Sequence, residues 1–142
     1  GFPVVDVEAV LTDGSYHTAD SSDMAFRLAA RLAMSDALGR ARPVLLEPIL
    51  ELTVHVPGEA MSRASQILAS RRGHLLGFDA RPGWEGWDSL RALVPEAEMG
   101  DLIIELRSLT QGVGTFEQEF DHLAELTGKI ADQVVQAKKA AA

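Results

Sequence analysis

The sequence has no cysteine, and this excludes both a disulfide bond and a thiolate-ligated metal site. It also has no apolar run that approaches the roughly 18 to 20 residues needed for a membrane-spanning helix. No basic and then apolar leader opens the chain, so nothing in it points to export. These absences favour a cytoplasmic protein without a membrane partner.

Basic residues are scarce, with 13 Lys and Arg against 21 Asp and Glu, which gives a net charge of −8. Proteins that bind nucleic acid through their overall field are usually basic, so we expect weak or no binding to free nucleic acid. Any RNA contact requires a local patch, or other parts of a larger protein. The apolar content of 46% over 142 residues is enough for one folded domain or one and a half.

The first part of the chain, residues 1–47, predicts a strand, a loop and a helix. Residues 2–12 alternate between apolar and polar side chains, as a half-buried strand does. After a turn at Asp13-Gly14, Asp20 is the predicted N-cap of a helix that runs to Gly39 and has a broad apolar surface. Two such elements cannot satisfy a sheet edge or cover that helix, so we expect this domain to be incomplete and to begin in mid-domain.

The second part, residues 48–142, predicts alternating strands and helices. The predicted elements are a strand at 49–56, a helix at 59–72, strands at 74–79 and 87–94, a helix from 95 to about 107, a strand at 115–123 and a terminal helix at 129–138. The order β-α-β-β-α-β is that of a ferredoxin-like, split β-α-β domain of the α+β class. It places two helices on one face of a four-stranded antiparallel sheet. On the first strand the open face shows Ile49, Glu51, Thr53 and His55.

Five ordered blocks of sequence resemble the C-terminal region of bacterial elongation factor G. The blocks are Pro3–Val7 with Asp13–His17 and Asp20–Phe26; Pro43–Ile49; Ser70–Gly73; Val94–Met99; and Leu106–Gly112 with Gly114–Phe116 and Glu119–His122. Together they extend over almost the whole chain. The resemblance implies that residues 1–47 are the end of the family's fourth domain and residues 48–142 its fifth domain.

The family uses GTP hydrolysis to move tRNA and mRNA through the ribosome, and the resemblance implies a part in that process. The fourth domain's tip would reach the decoding region, and the fifth domain would lie near ribosomal RNA and protein of the stalk base. GTP and magnesium belong to an N-terminal domain of the parent protein. This chain has no Gly-x-x-x-x-Gly-Lys-Ser/Thr loop, so we predict neither a cofactor nor enzymatic activity for the chain by itself.

Ser15, Tyr16 and His17 correspond by this resemblance to the tip loop of the fourth domain. A Tyr-His pair on a projecting loop can stack on bases or bond to phosphate and 2′-hydroxyl groups. The alternative is that Asp13-Gly14-Ser15 only forms a turn and that His17 is solvated. The resemblance favours the functional interpretation, with no catalytic role.

A second candidate is a local basic patch at two helix ends. It comprises Arg71, Arg72, Arg107, Ser108 and Gln111, which could contact RNA. The alternative is that the arginines only complement the helix dipole. The carboxylates Glu117, Glu119 and Asp121 share one face of the last strand, but a solvated or salt-bridging face explains them better than a metal site, so we predict no metal.

Several positions depart from the family pattern. Gly100, Asp101 and Leu102 replace Phe-Gly-Tyr, and Val113 replaces a basic residue. In the first helix of the fifth domain, Ser62, Arg63, Gln66 and Ile67 replace the family's Gly and Asp positions. The hairpin carries Trp84 and Trp87, which are also unusual for the family. A divergent paralogue that acts in ribosome recycling or rescue is therefore one alternative. A stand-alone ferredoxin-like protein-interaction module is the other.

Overall fold

The computed structural model describes all residues, 1–142, as two compact units. One unit is 46–126, and the other combines 1–45 with 127–142. The assignment of the terminal helix to the fifth domain stays a prediction. The predicted boundary between residues 47 and 48 stays a prediction.

The 46–126 unit is a four-stranded antiparallel sheet with two helices. Its elements are β1 (Leu45–Pro57), α2 (Met61–Ser70), β2 (His74–Ala80), β3 (Trp87–Pro95), α3 (Leu102–Leu109) and β4 (Thr115–Leu126), and a short 3₁₀ turn precedes each helix, at Gly58–Ala60 and at Glu96–Glu98. The strand order is β2-β3-β1-β4. This confirms the predicted ferredoxin-like fold, in which each helix connects two strands that are separated by a third.

Alternation along β1 determines which side chains enter the core. Leu52, Val54 and Val56 have no exposed surface, and Leu52 and Val54 are paired with Ala92 and Leu90 of β3. The core is completed by Ala64 and Leu68 of α2 and by Leu102 and Leu106 of α3. Because both helices contribute to the same buried cluster, both lie on one face of the sheet, as the sequence predicted.

The opposite face of the sheet is polar and only partly covered. Glu51, Thr53 and His55 are half-buried there, while Ile49 is buried. Arg91 of β3 donates to the Glu51 carboxylate across the sheet. The predicted mixed character of this face is therefore present, although its charges are already paired within the sheet.

The outer strand β2 is irregular, which protects its unpaired edge. The pairing register between β2 and β3 shifts between Leu75 and Gly77, so Leu76 is an extra residue opposite β3. Gly77 has a φ of 148°, which other residues rarely adopt. Such a bulge twists an edge strand and disfavours its pairing with another chain.

The N-terminal residues differ from the prediction. Residues 2–12 form no strand, because alternation creates a strand only where another strand supplies backbone partners, and this chain has none for them. The helix is present as α1 (Asp23–Arg40), but its N-cap is Ser22 rather than Asp20. The Ser22 hydroxyl oxygen accepts a hydrogen bond from the Ala25 amide at 3.1 Å.

The terminal helix α4 (Gly128–Ala140) matches its prediction to within a few residues. Its Lys138 ammonium lies 5.5 Å from the ring centroid of Phe2, a cation–π contact within the same unit. None of the four helices is both long and apolar enough to span a membrane.

Gly73 follows the end of α2 because the backbone makes a close approach there. The left-handed position after the helix is taken by Arg72, with φ of 56°, and Gly73 donates its amide to the Leu68 carbonyl at 2.9 Å. A Cβ atom on Gly73 would lie 2.4 Å from that carbonyl oxygen, a distance that side chains do not tolerate. Glycine is therefore required for close approach.

We expect Gly73→Ala to lower the free energy of unfolding by about 1–3 kcal/mol, because the clash forces a backbone shift. Gly100→Ala is the matched control, since nothing lies within 4 Å of its Cβ position. Urea unfolding measures both. Equal stability of the two variants would contradict this account of Gly73.

Candidate functional site

The predicted tip loop is exposed, and hydrogen bonds between its own residues stabilise it. The His17 amide donates to the Ser21 hydroxyl oxygen at 2.7 Å, and the Ser21 amide donates to the His17 carbonyl at 2.9 Å. His17 Nδ1 lies 3.3 Å from both the Ala19 amide nitrogen and an Asp20 carboxylate oxygen. The neutral ring can accept from Ala19 and the protonated ring can donate to Asp20, so either form of His17 is held in place.

Tyr16 is 70% exposed, and its ring stacks on that of Phe26 with a centroid distance of 6.3 Å. The contact joins the loop to the first turn of α1. Tyr16 and His17 therefore project from a supported loop, which is what a residue that stacks on a base requires. Their contact with RNA stays a prediction.

Arg71 is directed into the protein rather than toward solvent. Its side chain is 13% exposed and donates to the Glu98 carbonyl at 2.6 Å, to Asp101 at 2.8 Å and to Glu105 at 2.7 Å. The hydrogen bond from Arg71 holds the pKa of the Asp101 carboxyl below its ordinary value. The Asp101 and Glu105 carboxylates, which accept these hydrogen bonds, in turn raise the pKa of Arg71.

Arg72 makes a second set of ion pairs from the same helix end. It binds both oxygens of the nearly buried Glu47 carboxylate, at 2.8 and 3.0 Å, and Glu98 at 2.9 Å. The hydrogen bonds that Arg72 donates to Glu47 raise the pKa of Arg72, so the guanidinium is charged at every pH of interest. A planar fork that meets a carboxylate at two points is the strongest geometry for such a pair.

These contacts change how the predicted basic patch is interpreted. Arg71 and Arg72 neutralise carboxylates of β1, the second 3₁₀ turn and α3, so they connect elements instead of presenting free charge. Helix-dipole complementation alone does not account for them either. A contact between these two arginines and RNA stays a prediction, and the geometry weighs against it.

Arg107, Ser108 and Gln111 are exposed on the last turn of α3 and the turn that follows it. That turn is fixed by buried Thr110, whose hydroxyl donates to the Leu106 carbonyl at 2.7 Å and accepts from the Gly114 amide at 2.8 Å. Gln111 has a φ of 56°, so the chain reverses at this residue. The three predicted contact residues therefore occupy one rigid projection.

A cleft of about 450 Å³ lies between this turn and the start of α2. It is lined by Pro57, Glu59, Ala60, Arg63, Leu109, Thr110, Gln111 and Val113. Arg63 is exposed and forms no ion pair. Sequence reasoning noted Arg63 only as a departure from the family, since its proximity to Gln111 depends on how two distant segments pack.

The other departures from the family pattern lie in different environments. Leu102 is only 1% exposed within the core and Asp101 is the ion-pair partner of Arg71, so both are part of the internal structure. Val113 is 49% exposed in the lining of the cleft. Val113, like Arg63, therefore alters the surface beside Gln111.

The carboxylates of β4 do not converge. Glu117 lies 3.7 Å from His55 Nε2, and Asp121 pairs with the adjacent His122. His55 Nδ1 also lies 2.8 Å from the Ser89 hydroxyl, so His55 is a linking residue of the sheet's open face. No three His, Asp or Glu residues are placed to hold a metal ion.

We expect Arg72→Ala to lower the free energy of unfolding by about 1–3 kcal/mol, because it leaves the nearly buried Glu47 carboxylate without its partner. Arg107→Ala is the matched control and should change stability by less than about 0.5 kcal/mol, as exposed positions usually do. Thermal and urea unfolding measure both. Equal effects of the two variants would show that the Glu47 pair is not structural.

Comparisons with known proteins agree with the motifs. The family model for elongation factor G, domain IV, matches residues 1–42, and the model for the elongation factor G C-terminus matches residues 44–134. An elongation factor G-like protein of Synechocystis sp. is 53% identical over 131 residues, which is 92% of this chain.

A crystal structure of a Thermus thermophilus protein aligns with a TM-score of 0.77 and 40% identity over 90% of this chain. The chain covers 20% of the Synechocystis relative and 19% of the Thermus chain, so it spans about a fifth of their length. The match over the ferredoxin-like unit and the identity to the relative together show that this chain belongs to the elongation factor G family.

Proposed function

We propose that this chain is the ribosome-binding C-terminal segment of an elongation factor G-type translational GTPase and acts in tRNA and mRNA translocation. The observation that carries the proposal is the projection formed by Arg107, Ser108 and Gln111 with Arg63 beside it. Family membership supplies the class of partner. The site of action would be the cytoplasm.

The distribution of charge supports this assignment. Arg71, Arg72 and Arg91 of the ferredoxin-like unit are paired with carboxylates, whereas Arg63 and Arg107 are not. On a chain of net charge −8, Arg63 in the same cleft as the Gln111 carboxamide and Arg107 on the last turn of α3 would supply local positive charge for phosphate contacts. Such local charge suits a partner such as stalk-base RNA, which other contacts of the parent factor would bring to this part of the chain.

The remaining parts of the parent factor would do what this chain does not. GTP and magnesium would be held in an N-terminal domain, and other domains would position the tip loop near tRNA and mRNA in the decoding region. The projection would contact ribosomal RNA and the stalk-base protein. Both surfaces of this chain would then serve binding and no chemical step.

One observation favours a second candidate function, a divergent paralogue that acts in recycling or rescue. Val113 leaves the α3–β4 turn without a cation, and the change is exposed rather than absorbed by the core. Arg63 lines the same cleft and supplies a cation from α2 instead. Translocation and subunit-splitting assays on the parent factor distinguish the two functions.

We expect Arg63→Glu or Arg107→Glu to weaken binding of the parent factor to ribosomes about tenfold, because each reverses a charge at a phosphate contact. Lys139→Glu makes the same charge change on α4 and should have little effect. Binding is measured by competition with labelled factor at two salt concentrations. Equal losses in all three variants would show that only the overall charge is important.

We expect His17→Ala to slow translocation while GTP turnover by the parent factor stays unchanged, because the residue contributes a contact at the tip and none at the nucleotide. His74→Ala, which also removes an exposed histidine, is the control. Rapid-mixing measurements of both rates decide the point. An equal loss of the two rates would assign His17 a structural role.

A further inference from the structure

The hairpin between β2 and β3 carries an aromatic cluster that the proposed function does not use. Trp84 and Trp87 are the only tryptophans of the chain, and their ring centroids lie 5.2 Å apart at an angle of 62°. The Arg81 guanidinium carbon lies 4.0 Å from the centroid of Trp84 and 5.8 Å from that of Trp87. Trp84 is 50% exposed, which is unusual for so large an apolar side chain.

The backbone holds this cluster in a fixed arrangement. The Arg81 amide donates to the Trp87 carbonyl at 2.8 Å, the Trp84 amide to the Arg81 carbonyl at 3.1 Å and the Trp87 amide to the Trp84 carbonyl at 3.1 Å. The Gly58 amide donates to the Gly86 carbonyl at 2.9 Å and joins the hairpin to the first 3₁₀ turn. A site that is ordered before binding loses little entropy on binding.

The cluster borders an open cleft of about 540 Å³, a volume within the range of small-ligand sites. Arg81 has no carboxylate partner, and its contacts are with the two indole rings. Glu85 and Asp88 also line the cleft, so its local charge is not positive. Phosphate is therefore not the group that this site would recognise.

We propose that Arg81, Trp84 and Trp87 form a stacking site for an unpaired nucleobase of RNA. Indole rings and guanidinium planes are the groups on which splayed-out bases stack, and such stacking needs no positive field. A cationic protein segment suits the site less well, because the Arg81 charge that already lies over both rings would repel a second cation. The proposal rests on the proposed function only for the source of the base, ribosomal RNA.

Tryptophan fluorescence tests the site directly, because both tryptophans of the chain belong to it. We expect single-stranded hexa-adenylate to quench the emission in a saturable manner, and an abasic ribose-phosphate chain of equal length to have no effect. At most one cation of the site can contact a phosphate. A plot of the logarithm of the affinity against the logarithm of the salt concentration should therefore have a slope no steeper than about −0.7.

Variants assign the effect to the cluster. We expect Trp84→Ala to weaken the titration about tenfold, read from the remaining emission of Trp87, and Trp84→Phe to retain most of the affinity. Phe78→Ala is the matched control, since Phe78 is an exposed aromatic of β2 outside the cluster. A thermal unfolding curve for each variant verifies that the fold is intact.

Three results would overturn the proposal. They are equal quenching by the abasic chain, quenching by proline-rich or arginine-rich peptides but not by hexa-adenylate, and an equal loss of affinity in Phe78→Ala. Ribosome binding by the parent factor is measured separately. Its absence refutes the proposed function alone, whereas the absence of base-dependent quenching refutes the stacking site alone.

Discussion

Two consecutive arginines at the end of α2 connect the elements that surround them. Arg72 joins α2 to Glu47 at the beginning of β1, and Arg71 joins it to the start of α3 through Asp101 and Glu105. The left-handed backbone of Arg72 carries a steric cost of about 1–2 kcal/mol, which its ion pairs offset. Gly73 then permits the close return of the chain into β2. The Ser70–Gly73 motif therefore has a structural reason at each of its last three positions.

Sequence patterns predicted the ferredoxin-like unit well because its signals are local. Assigning Glu51, Thr53 and His55 to the open face of β1 left Leu52, Val54 and Val56 for the core face, where they are buried. The prediction of a strand at residues 2–12 was wrong because strand formation there depends on a distant partner. Its alternation was genuine, but strand formation depends on a neighbour, and no other segment of this chain pairs with it.

The candidate site was harder to predict, since charge type is visible in a sequence and charge pairing is not. The partners of Arg72 lie 25 and 26 positions away, so nothing near the arginines indicated that they were paired. Arg63 became informative only when the fold placed it in the same cleft as Gln111. Arg107 is exposed because it lies on the outer face of α3, and Gln111 is exposed because it lies in the turn that follows the helix.

The ion pairs around Arg71 and Arg72 also affect how the unit fluctuates. A local opening that frees the last turn of α2 must break the bonds to Glu98, Asp101 and Glu105, so the second 3₁₀ turn and the first turn of α3 lose their anchors together. Segments about thirty positions apart in sequence thus share one opening free energy and form a single cooperative segment of the fold.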